Sequence, residues 1–394
     1  MALKNLGTEL KKHIRDYGMF IALFIIFVIF TITTDGIFIS SRNISNLLNQ
    51  TGYIAIIAIG MTLIIVIRHI DLSVGFLSGF LGAMAAIAMV FWNMPVFVVI
   101  PMILIMGTIA GLITALPIAK LGVPAFVASL AGWLIYKGAL LMATLKTGTI
   151  VIPNKAFNAI GNGYIPDIFA SDKFLPETHK LTLFLGLIAI AWFIISSLKA
   201  RKSKQTYNFE VLSLDLFIIK LAFTAVLIGL VTWVLSGYNG MSWTLAIVIF
   251  VVSIYSFITK KTVIGRHIYA VGGNPEAAEL SGINVQKITF LVFGSMGMLA
   301  GLSGILYASR LQSATTVAGT LLELDGIAAA FIGGVSVAGG VGSVVGSLIG
   351  AIVYMSLTSG MNLMGIDISS QYIVRGAVLV GAVIFDVTTR KLGK

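Results

Sequence analysis

The sequence predicts an all-α polytopic membrane protein, and three observations support that prediction. Of the 394 residues, 58% are apolar and only 10% are charged, and the mean hydropathy is +1.02. A soluble domain carries about 25% charged residues, so the lipid bilayer must solvate much of this chain. The apolar residues fall in runs near the roughly 20 residues that a helix needs to cross a bilayer. The chain also has 42 glycines, which suit closely packed membrane helices.

About twelve transmembrane helices, and at least ten, follow from these runs. They lie near residues 17–33, 48–67, 74–92, 96–116, 124–143, 180–198, 212–235, 242–258, 288–308, 322–337, 343–360 and 371–388. The glycine-rich stretch 322–342 either crosses the membrane or re-enters it as a hairpin. Gly-x3-Gly spacing recurs along the runs and predicts tight helix packing. It is found at Gly75/Gly79, Gly107/Gly111, Gly297/Gly301 and Gly342/Gly346/Gly350.

Basic residues between the runs set the orientation. The four clusters are Lys4, Lys11, Lys12 and Arg15; Lys199, Arg201, Lys202 and Lys204; Lys260, Lys261 and Arg266; and Arg390, Lys391 and Lys394. An even number of spans places all four on one side, which the positive-inside rule makes cytoplasmic. We therefore expect both termini in the cytoplasm, an extracellular loop near 145–180 and a cytoplasmic segment near 259–287. All of these belong to one transmembrane domain over 1–394.

The residue inventory excludes several classes of protein. The net charge of +11 is distributed between apolar runs, so it indicates membrane orientation and not nucleic-acid binding. Cysteine is absent and the four histidines are scattered, so we expect no metal site and no catalytic residue. The chain lacks GxxxxGK[ST], so we expect it to bind no cofactor and no ATP.

The cytoplasmic stretch from Gly265 to Val285, GRHIYAVGGNPEAAELSGINV, predicts a short helix. Asn274 is a good N-cap, Pro275 suits the first helical position, and Gly282 can end the helix in the left-handed conformation. Glu276 and Glu279 favour the first turns through the helix dipole. So short a helix needs something to pack on. It is either a connector lying on its own membrane domain or a docking helix for a cytosolic partner.

This stretch resembles the coupling-helix region of permeases in the monosaccharide class of ATP-binding-cassette importers. Three further stretches are similar to that family in the same order. They are RNISNLLNQTGYIAIIAIGMTLIIV from Arg42 leading into IDLSVG from Ile70, LGVPAFVASLAGWLIYKG from Leu121, and ELDGIAAAFIGGVSVAGGVGSVVGSLIGA from Glu323. The chain length, an apparent extra helix pair near 180–240 and TTDG from Thr33 favour the xylose type. Arg68 and His69 depart from the pattern, since the family usually has small residues there.

The resemblance implies a permease of the bacterial cytoplasmic membrane that passes a monosaccharide, with xylose as the first candidate. It implies three protein partners: a cytosolic tandem-domain ATPase that holds ATP and Mg, an extracytoplasmic sugar-binding protein, and a second copy of the chain in a homodimer. It also implies that the cytoplasmic stretch contacts the ATPase. The coupling residues would be Gly265, Arg266, Asn274, Pro275, Glu276, Ala277, Glu279 and Gly282.

Polar residues in or near the apolar runs are candidates for the substrate path, because ionisable groups are costly inside a membrane. The candidates are Asn46, Asn49, Gln50, Asp71, Ser73, Trp133, Tyr136, Glu323, Asp325 and Asn362. Each also has a structural interpretation. Asp71 could pair with Arg68 or cap a helix, the two acids near 323 could complement a helix N-terminus, and the two aromatic residues could anchor at the lipid interface.

Other functions stay open on the residues alone. An ion-coupled secondary sugar transporter would use a buried carboxylate such as Asp71. A permease for multiple monosaccharides would fit the same pattern. An intramembrane enzyme lacks the paired carboxylates, cysteines or histidine clusters from which to build a site.

Overall fold

The computed structural model describes residues 14–169, 178–209, 211 and 213–392. The basic residues Lys4, Lys11, Lys12 and Lys394 of the predicted cytoplasmic clusters lie outside these residues. So do positions 170–177 of the predicted extracellular loop.

Fifteen α-helices account for most of the described chain. They are α1 (Ile14–Thr33), α2 (Ser41–Val66), α3 (Val74–Val90), α4 (Val96–Leu121), α5 (Ala125–Thr144), α6 (Lys155–Asn162), α7 (Lys180–Thr206), α8 (Leu214–Ser236), α9 (Trp243–Lys261), α10 (Val263–Gly273), α11 (Pro275–Leu280), α12 (Val285–Leu311), α13 (Leu322–Ile332), α14 (Val344–Leu363) and α15 (Ile368–Leu392). A 3₁₀ turn at Ile37–Ile39 and two short strands, β1 (Ile150–Val151) and β2 (Ser313–Ala314), complete the elements.

The all-α polytopic prediction is confirmed. Each of the twelve predicted runs coincides with a helix, and nine helices in the described part of the chain are long and apolar enough to cross a membrane. Two shorter apolar helices cover Gly18–Thr33 and Val74–Val90.

One predicted run, 322–337, forms a helix too short to span the membrane. Helix α13 has 11 residues and so rises about 16 Å, whereas the hydrocarbon core is about 30 Å thick. It stops at Ile332 because Gly333 caps it and Gly334 takes a φ of +84°, which directs the chain out of the helix. Residues 333–343 then form a break before α14.

The chain divides into two compact units, of which the first holds the core. It comprises the described residues of Met1–Phe38, Leu47–Gly163 and Thr244–Lys394. Helix α12 lies at its centre, against α3 and α4, and α2 is buried along most of its length. Buried hydroxyls link helices across this core: Thr62 on α2 and Ser347 on α14 lie 2.5 Å apart, and Tyr255 and Ser295 also lie 2.5 Å apart.

The Gly-x3-Gly prediction of tight packing is confirmed. A Cβ on Gly107 would lie 2.2 Å from the carbonyl oxygen of Gly297, and one on Gly297 would lie 2.0 Å from that of Gly107. A Cβ on Gly350 would lie 2.0 Å from the carbonyl oxygen of Ala329. At these points the helix backbones touch, which any larger residue would prevent.

A small two-stranded sheet closes one end of this unit. β1 pairs antiparallel with β2, with Ile150 opposite Ala314. Helix α6 follows β1 and packs on the C-terminal end of α12. There the Asn162 amide donates to the carbonyl of Ser309 at 2.8 Å, and Arg310 donates to the Asn162 side chain at 2.9 Å.

The second unit comprises Ile39–Asn46 and Tyr164–Trp243 and is built on the hairpin of α7 and α8. Gly186 allows the two helices to approach, since a Cβ there would lie 2.3 Å from the Thr232 methyl. Asp167 accepts hydrogen bonds from the backbone N–H of Lys180 at 2.7 Å and of Leu181 at 3.2 Å, and so caps α7. Partial burial opposes ionisation of Asp167, but these amide donors bring its pKa below the ordinary value.

The close approach of α4 and α12 gives a stability prediction. Gly107→Ala should destabilise the protein by about 1–3 kcal/mol, because backbone on both sides prevents relaxation around the new methyl. The matched control is Gly138→Ala on α5, where a Cβ meets nothing within 4 Å. We expect the control to melt at the same temperature or slightly higher, since alanine favours helix. Thermal unfolding of the detergent-purified protein measures both, and equal melting of the two variants would contradict the packing argument.

Candidate translocation path and docking helix

Two helices of the first unit start inside the core, and their N-termini meet. Helix α3 begins at Val74 after the non-helical segment 67–73, and α13 begins at Leu322 after the non-helical segment 312–321. A Cβ on Gly75 would lie 1.8 Å from Glu323 Oε2 and 2.7 Å from the Gly319 carbonyl oxygen. Gly319 itself has a φ of +82° and touches the backbone of Gly75. Two positive helix ends therefore lie against each other.

Glu323 lies at this meeting point and is 4% exposed. Its Oε1 accepts a hydrogen bond of 3.0 Å from Trp133 Nε1 on α5, and its Oε2 lies against Gly75 at the start of α3. The Trp133 ring packs edge to face on Phe76 at 4.8 Å, and the Lys137 ammonium lies 5.0 Å from the Trp133 ring centroid. Trp133 is therefore half-buried, with its indole N–H directed at a buried carboxylate. The carboxylate complements the N-terminus of α13 and also that of α3.

Asp71 and Ser73 organise the segment that leads into α3. Asp71 is buried, and its Oδ1 accepts from the Ser73 N–H at 2.9 Å and the Ser73 hydroxyl at 2.6 Å. Ser73 is the N-cap residue of α3. Arg68, which the sequence offered as a partner for Asp71, instead donates to the carbonyls of Gly272 and Gly273. Asp71 therefore orders the residues just before α3, and Arg68 binds elsewhere.

A second polar cluster begins two residues further along, at Asp325, still within the first turn of α13. Asp325 accepts a hydrogen bond from the Tyr354 hydroxyl on α14, and the Arg375 guanidinium of α15 lies 5.8 Å from the Tyr354 ring centroid. Tyr53 on α2 and Tyr307 on α12 stack edge to face at 5.2 Å. Tyr354 is buried, and Tyr53 and Tyr307 are half-buried. Carboxylate, phenol and guanidinium groups of this kind can bind hydroxyl-rich molecules through hydrogen bonds and aromatic contact.

The remaining path candidates are more dispersed. Asn49 is buried on α2, whereas Asn46 and Gln50 are half-buried. Tyr136 donates to the Ala110 carbonyl at 3.2 Å, which fastens α5 to α4. Asn362 is exposed and accepts from the Gln371 amide at 2.8 Å, which ties α14 to α15. The structure therefore brings Glu323 together with Trp133, whereas Asp325 bonds to Tyr354 and Asn362 to Gln371.

The predicted short helix is present as α11. The Asn274 side chain caps it by accepting from the Ala277 N–H at 3.1 Å, Pro275 is the first helical residue, and Gly282 takes a φ of +82° just past the end. Ala278 faces inward at 4% exposure. Leu280, on the same short helix, is 91% exposed.

Three other residues of α11 point outward beside Leu280. Glu276, Ala277 and Glu279 are all exposed. Gly265 is buried against the end of α9, and a Cβ there would lie 2.3 Å from the Ile258 carbonyl oxygen. Arg266 is exposed. The helix therefore offers a small surface with one apolar residue and two acidic ones.

Sequence reasoning missed Tyr53, Tyr307 and Tyr354 as members of the polar cluster. Each lies in an otherwise apolar helix, and a hydroxyl within such a helix needs a hydrogen-bond partner. That requirement is a signal that could have selected them. It also missed Leu280, which stands out only when its exposure is known.

Comparison with known proteins agrees with this architecture. Residues 43–383 match the family described as branched-chain amino acid transport system / permease component. The chain is 39% identical over 380 residues to the xylose transport system permease protein of Haemophilus influenzae, covering 96% of this chain and 98% of that one. It is 37% identical to the Escherichia coli K12 protein of the same name, over 96% and 93% of the two chains. It is 36% identical to the ribose import permease protein of Haemophilus influenzae, over 98% and 97%. No solved structure matches the chain.

The bond between Tyr354 and Asp325 gives a further stability prediction. Tyr354→Phe should destabilise the protein by about 1–3 kcal/mol, because the Asp325 carboxylate loses its hydroxyl donor. Tyr372→Phe is the matched control, since Tyr372 is exposed and its ring also lies beside Arg375. Chemical denaturation in detergent measures both variants. Equal unfolding midpoints would mean that the Asp325 contact contributes nothing to stability.

Proposed function

Because the chain belongs to the branched-chain amino acid transport system permease family, we propose that it is the membrane-spanning subunit of an ATP-driven sugar importer of the bacterial cytoplasmic membrane. The near full-length similarity to permeases named for xylose and ribose carries the proposal. Xylose is the first candidate cargo because the xylose permeases share more identity with this chain than the ribose permease does.

The proposed topology has twelve crossings with both termini in the cytoplasm. Nine long helices and α1 supply ten of them. Each of the other two joins a non-helical segment to a short helix: 67–73 with α3, and 312–321 with α13. Irregular backbone is tolerated at membrane depth when protein surrounds it, as happens at both breaks. In this topology the 322–342 stretch supplies one broken crossing through α13.

Helix α11 is the proposed docking site for a cytosolic tandem-domain ATPase, which would bind ATP and Mg²⁺. The exposed Leu280 and the acids Glu276 and Glu279 support this role, since a short helix with an exposed apolar side chain suits an interface. An extracytoplasmic sugar-binding protein would deliver the cargo, and a second copy of the chain would complete the path as a homodimer. This chain would hydrolyse no ATP itself.

The proposed substrate path runs past the two polar clusters around Glu323 and Asp325. Hydroxyl donors of a monosaccharide match the carboxylates, and its apolar C–H faces match the tyrosine rings. Asp71, Ser73, Asn49 and Gln50 would contribute to the ends of this path. Weak binding is expected, because a permease that holds its cargo tightly would slow release.

An ion-coupled secondary transporter is the alternative, and a transport assay separates the two. Cells that lack their own pentose uptake should import radiolabelled xylose when they express this chain with the ATPase and binding protein that co-purify with it. Uptake should continue when the proton gradient is collapsed and stop when ATP is depleted. The opposite pattern would establish ion coupling. Competition by unlabelled ribose, glucose and galactose distinguishes a xylose permease from one for multiple monosaccharides.

Charge reversal on α11 tests the docking role. Glu276→Lys with Glu279→Lys should reduce uptake by about tenfold, equivalent to about 1.4 kcal/mol of docking free energy, because both acids are exposed at the proposed interface. The amount of chain in the membrane should stay constant, as measured by immunoblotting. Wild-type uptake by the double variant would exclude a docking role for these acids.

The end of α11 gives an independent prediction with a matched control. Gly282→Pro should uncouple ATP hydrolysis from uptake, because proline fixes φ near −65° where the chain needs +82°. Gly282→Asn should retain most uptake, since asparagine tolerates the left-handed conformation. The ratio of sugar imported to ATP hydrolysed is the measurement. Equal ratios for the two variants would show that the conformation at Gly282 has no part in coupling.

A further inference from the structure

Three backbone segments meet at the end of α2, and we call this the glycine junction. It consists of Val66–Arg68, Tyr269–Gly273 and Gly339–Gly342. The N–H of Gly340 donates to the Val66 carbonyl at 2.8 Å, and the Tyr269 hydroxyl donates to the Gly342 carbonyl at 2.7 Å. A Cβ on Gly272 would lie 1.8 Å from the Val66 carbonyl oxygen. With no side chain between these backbones, displacement of one segment must displace the others.

Arg68 fastens this junction. Its Nε donates to the Gly272 carbonyl at 2.7 Å, and its Nη2 donates to the Gly273 carbonyl. These are the last two residues of α10, where carbonyls lack intrahelical partners and the helix dipole is negative. The guanidinium fork matches two adjacent carbonyls in a way that a single ammonium cannot. The stem of Arg68 also packs on Gly339, since a Cβ there would lie 2.3 Å from Arg68 Cγ.

The backbone of Arg68 is itself specialised. Its φ is +65°, which a non-glycine residue adopts at a cost of about 1–2 kcal/mol. This conformation turns the chain out of α2 and towards α10. The turn therefore depends on contacts of the Arg68 side chain, and its two hydrogen bonds to carbonyl oxygens supply them.

The position of the junction connects the docking helix to both broken crossings. Gly273 immediately precedes Asn274, the N-cap of α11. Arg68 opens the segment 67–73, in which Asp71 holds Ser73 at the start of α3. Gly339–Gly342 belong to the break 333–343 between α13 and α14. The path from α11 to the two half-helices that meet at Gly75 and Glu323 therefore runs through the glycine junction, where backbone contacts and the Arg68 side chain join the segments.

We infer that Arg68 is a positioning residue that transmits the movement of the docking helix to the two broken crossings, and so couples ATP hydrolysis to passage of the sugar. The inference rests on the proposed function. Arg68 acts through Gly272 and Gly273 on one side and through the segment 67–73 on the other. If Arg68 had only a structural role, its loss would impair folding and assembly but would not change coupling in the complexes that assemble.

Arg68→Gly removes the side chain while favouring the backbone conformation, because glycine adopts a positive φ readily. In the purified complex of this chain with its ATPase and binding protein, we expect hydrolysis to continue within about twofold of wild type. Import into proteoliposomes should fall by about tenfold, which lies within the coupling that a single residue can carry. Arg68→Lys should retain more import than Arg68→Gly, because the lysine ammonium still supplies one donor to the carbonyls. Lys261→Ala, an exposed basic residue at the end of α9, should match wild type.

A second measurement reports the movement directly. The chain has no cysteine, so Leu72→Cys in the segment 67–73 provides a single reactive thiol. Its rate of labelling by a maleimide should change when ATP is added to the complex, and Arg68→Gly should abolish that change. If Arg68→Gly does not assemble, Arg68→Gln keeps the stem over Gly339 and removes the charged fork, and both measurements are made on it.

Two results would overturn the inference: import at the wild-type rate without the Arg68 fork, or parallel loss of hydrolysis and import in every assembled variant. A wild-type complex that imports no sugar with ATP would instead refute the proposed function. The wild-type control therefore separates the two failures.

Discussion

A helix can break within a bilayer only where the surrounding protein accommodates the freed backbone N–H and C=O groups, and the rest of this structure depends on that constraint. The chain breaks at 67–73, 312–321 and 333–343. Each break lies against other backbone: Gly340 pairs with Val66, Gly319 contacts Gly75, and Gly333 lies against Gly346 at the start of α14. The glycines stand where they do because a Cβ would separate the backbones that have to meet.

The same breaks explain why acidic residues lie in an apolar core. A helix that starts inside the protein exposes unpaired N–H groups and a positive dipole end, which a carboxylate stabilises. Glu323 and Asp325 occupy the first turn of α13, and Asp71 precedes the N-cap of α3. Trp133 and Tyr354 supply donors from two other helices. A stabilising requirement of the fold thus places polar groups along the proposed path.

Packed backbone joins the proposed docking helix to the proposed path. Helix α11 is too short to be stable alone, and Ala278 and the Asn274 cap hold it in place while Leu280 remains exposed. Two residues upstream of the α11 cap, Gly272 touches the end of α2 without an intervening side chain. Closely packed interiors transmit displacement, so a force applied at α11 reaches the breaks and not only the neighbouring loops.

The sequence by itself determined the all-α membrane class, the position of every apolar run and the ends of α11. These depend on hydropathy and on the capping chemistry of Asn274, Pro275 and Gly282, which act within a few residues. Only the tertiary structure decided that α13 is a short helix, that Trp133 bonds to Glu323 and that Arg68 turns to Gly272 instead of Asp71. Those partners lie 190 and 204 residues apart in the chain. Local pattern could not select them, because a polar group in a membrane core bonds to whichever partner the packing of distant segments brings within reach.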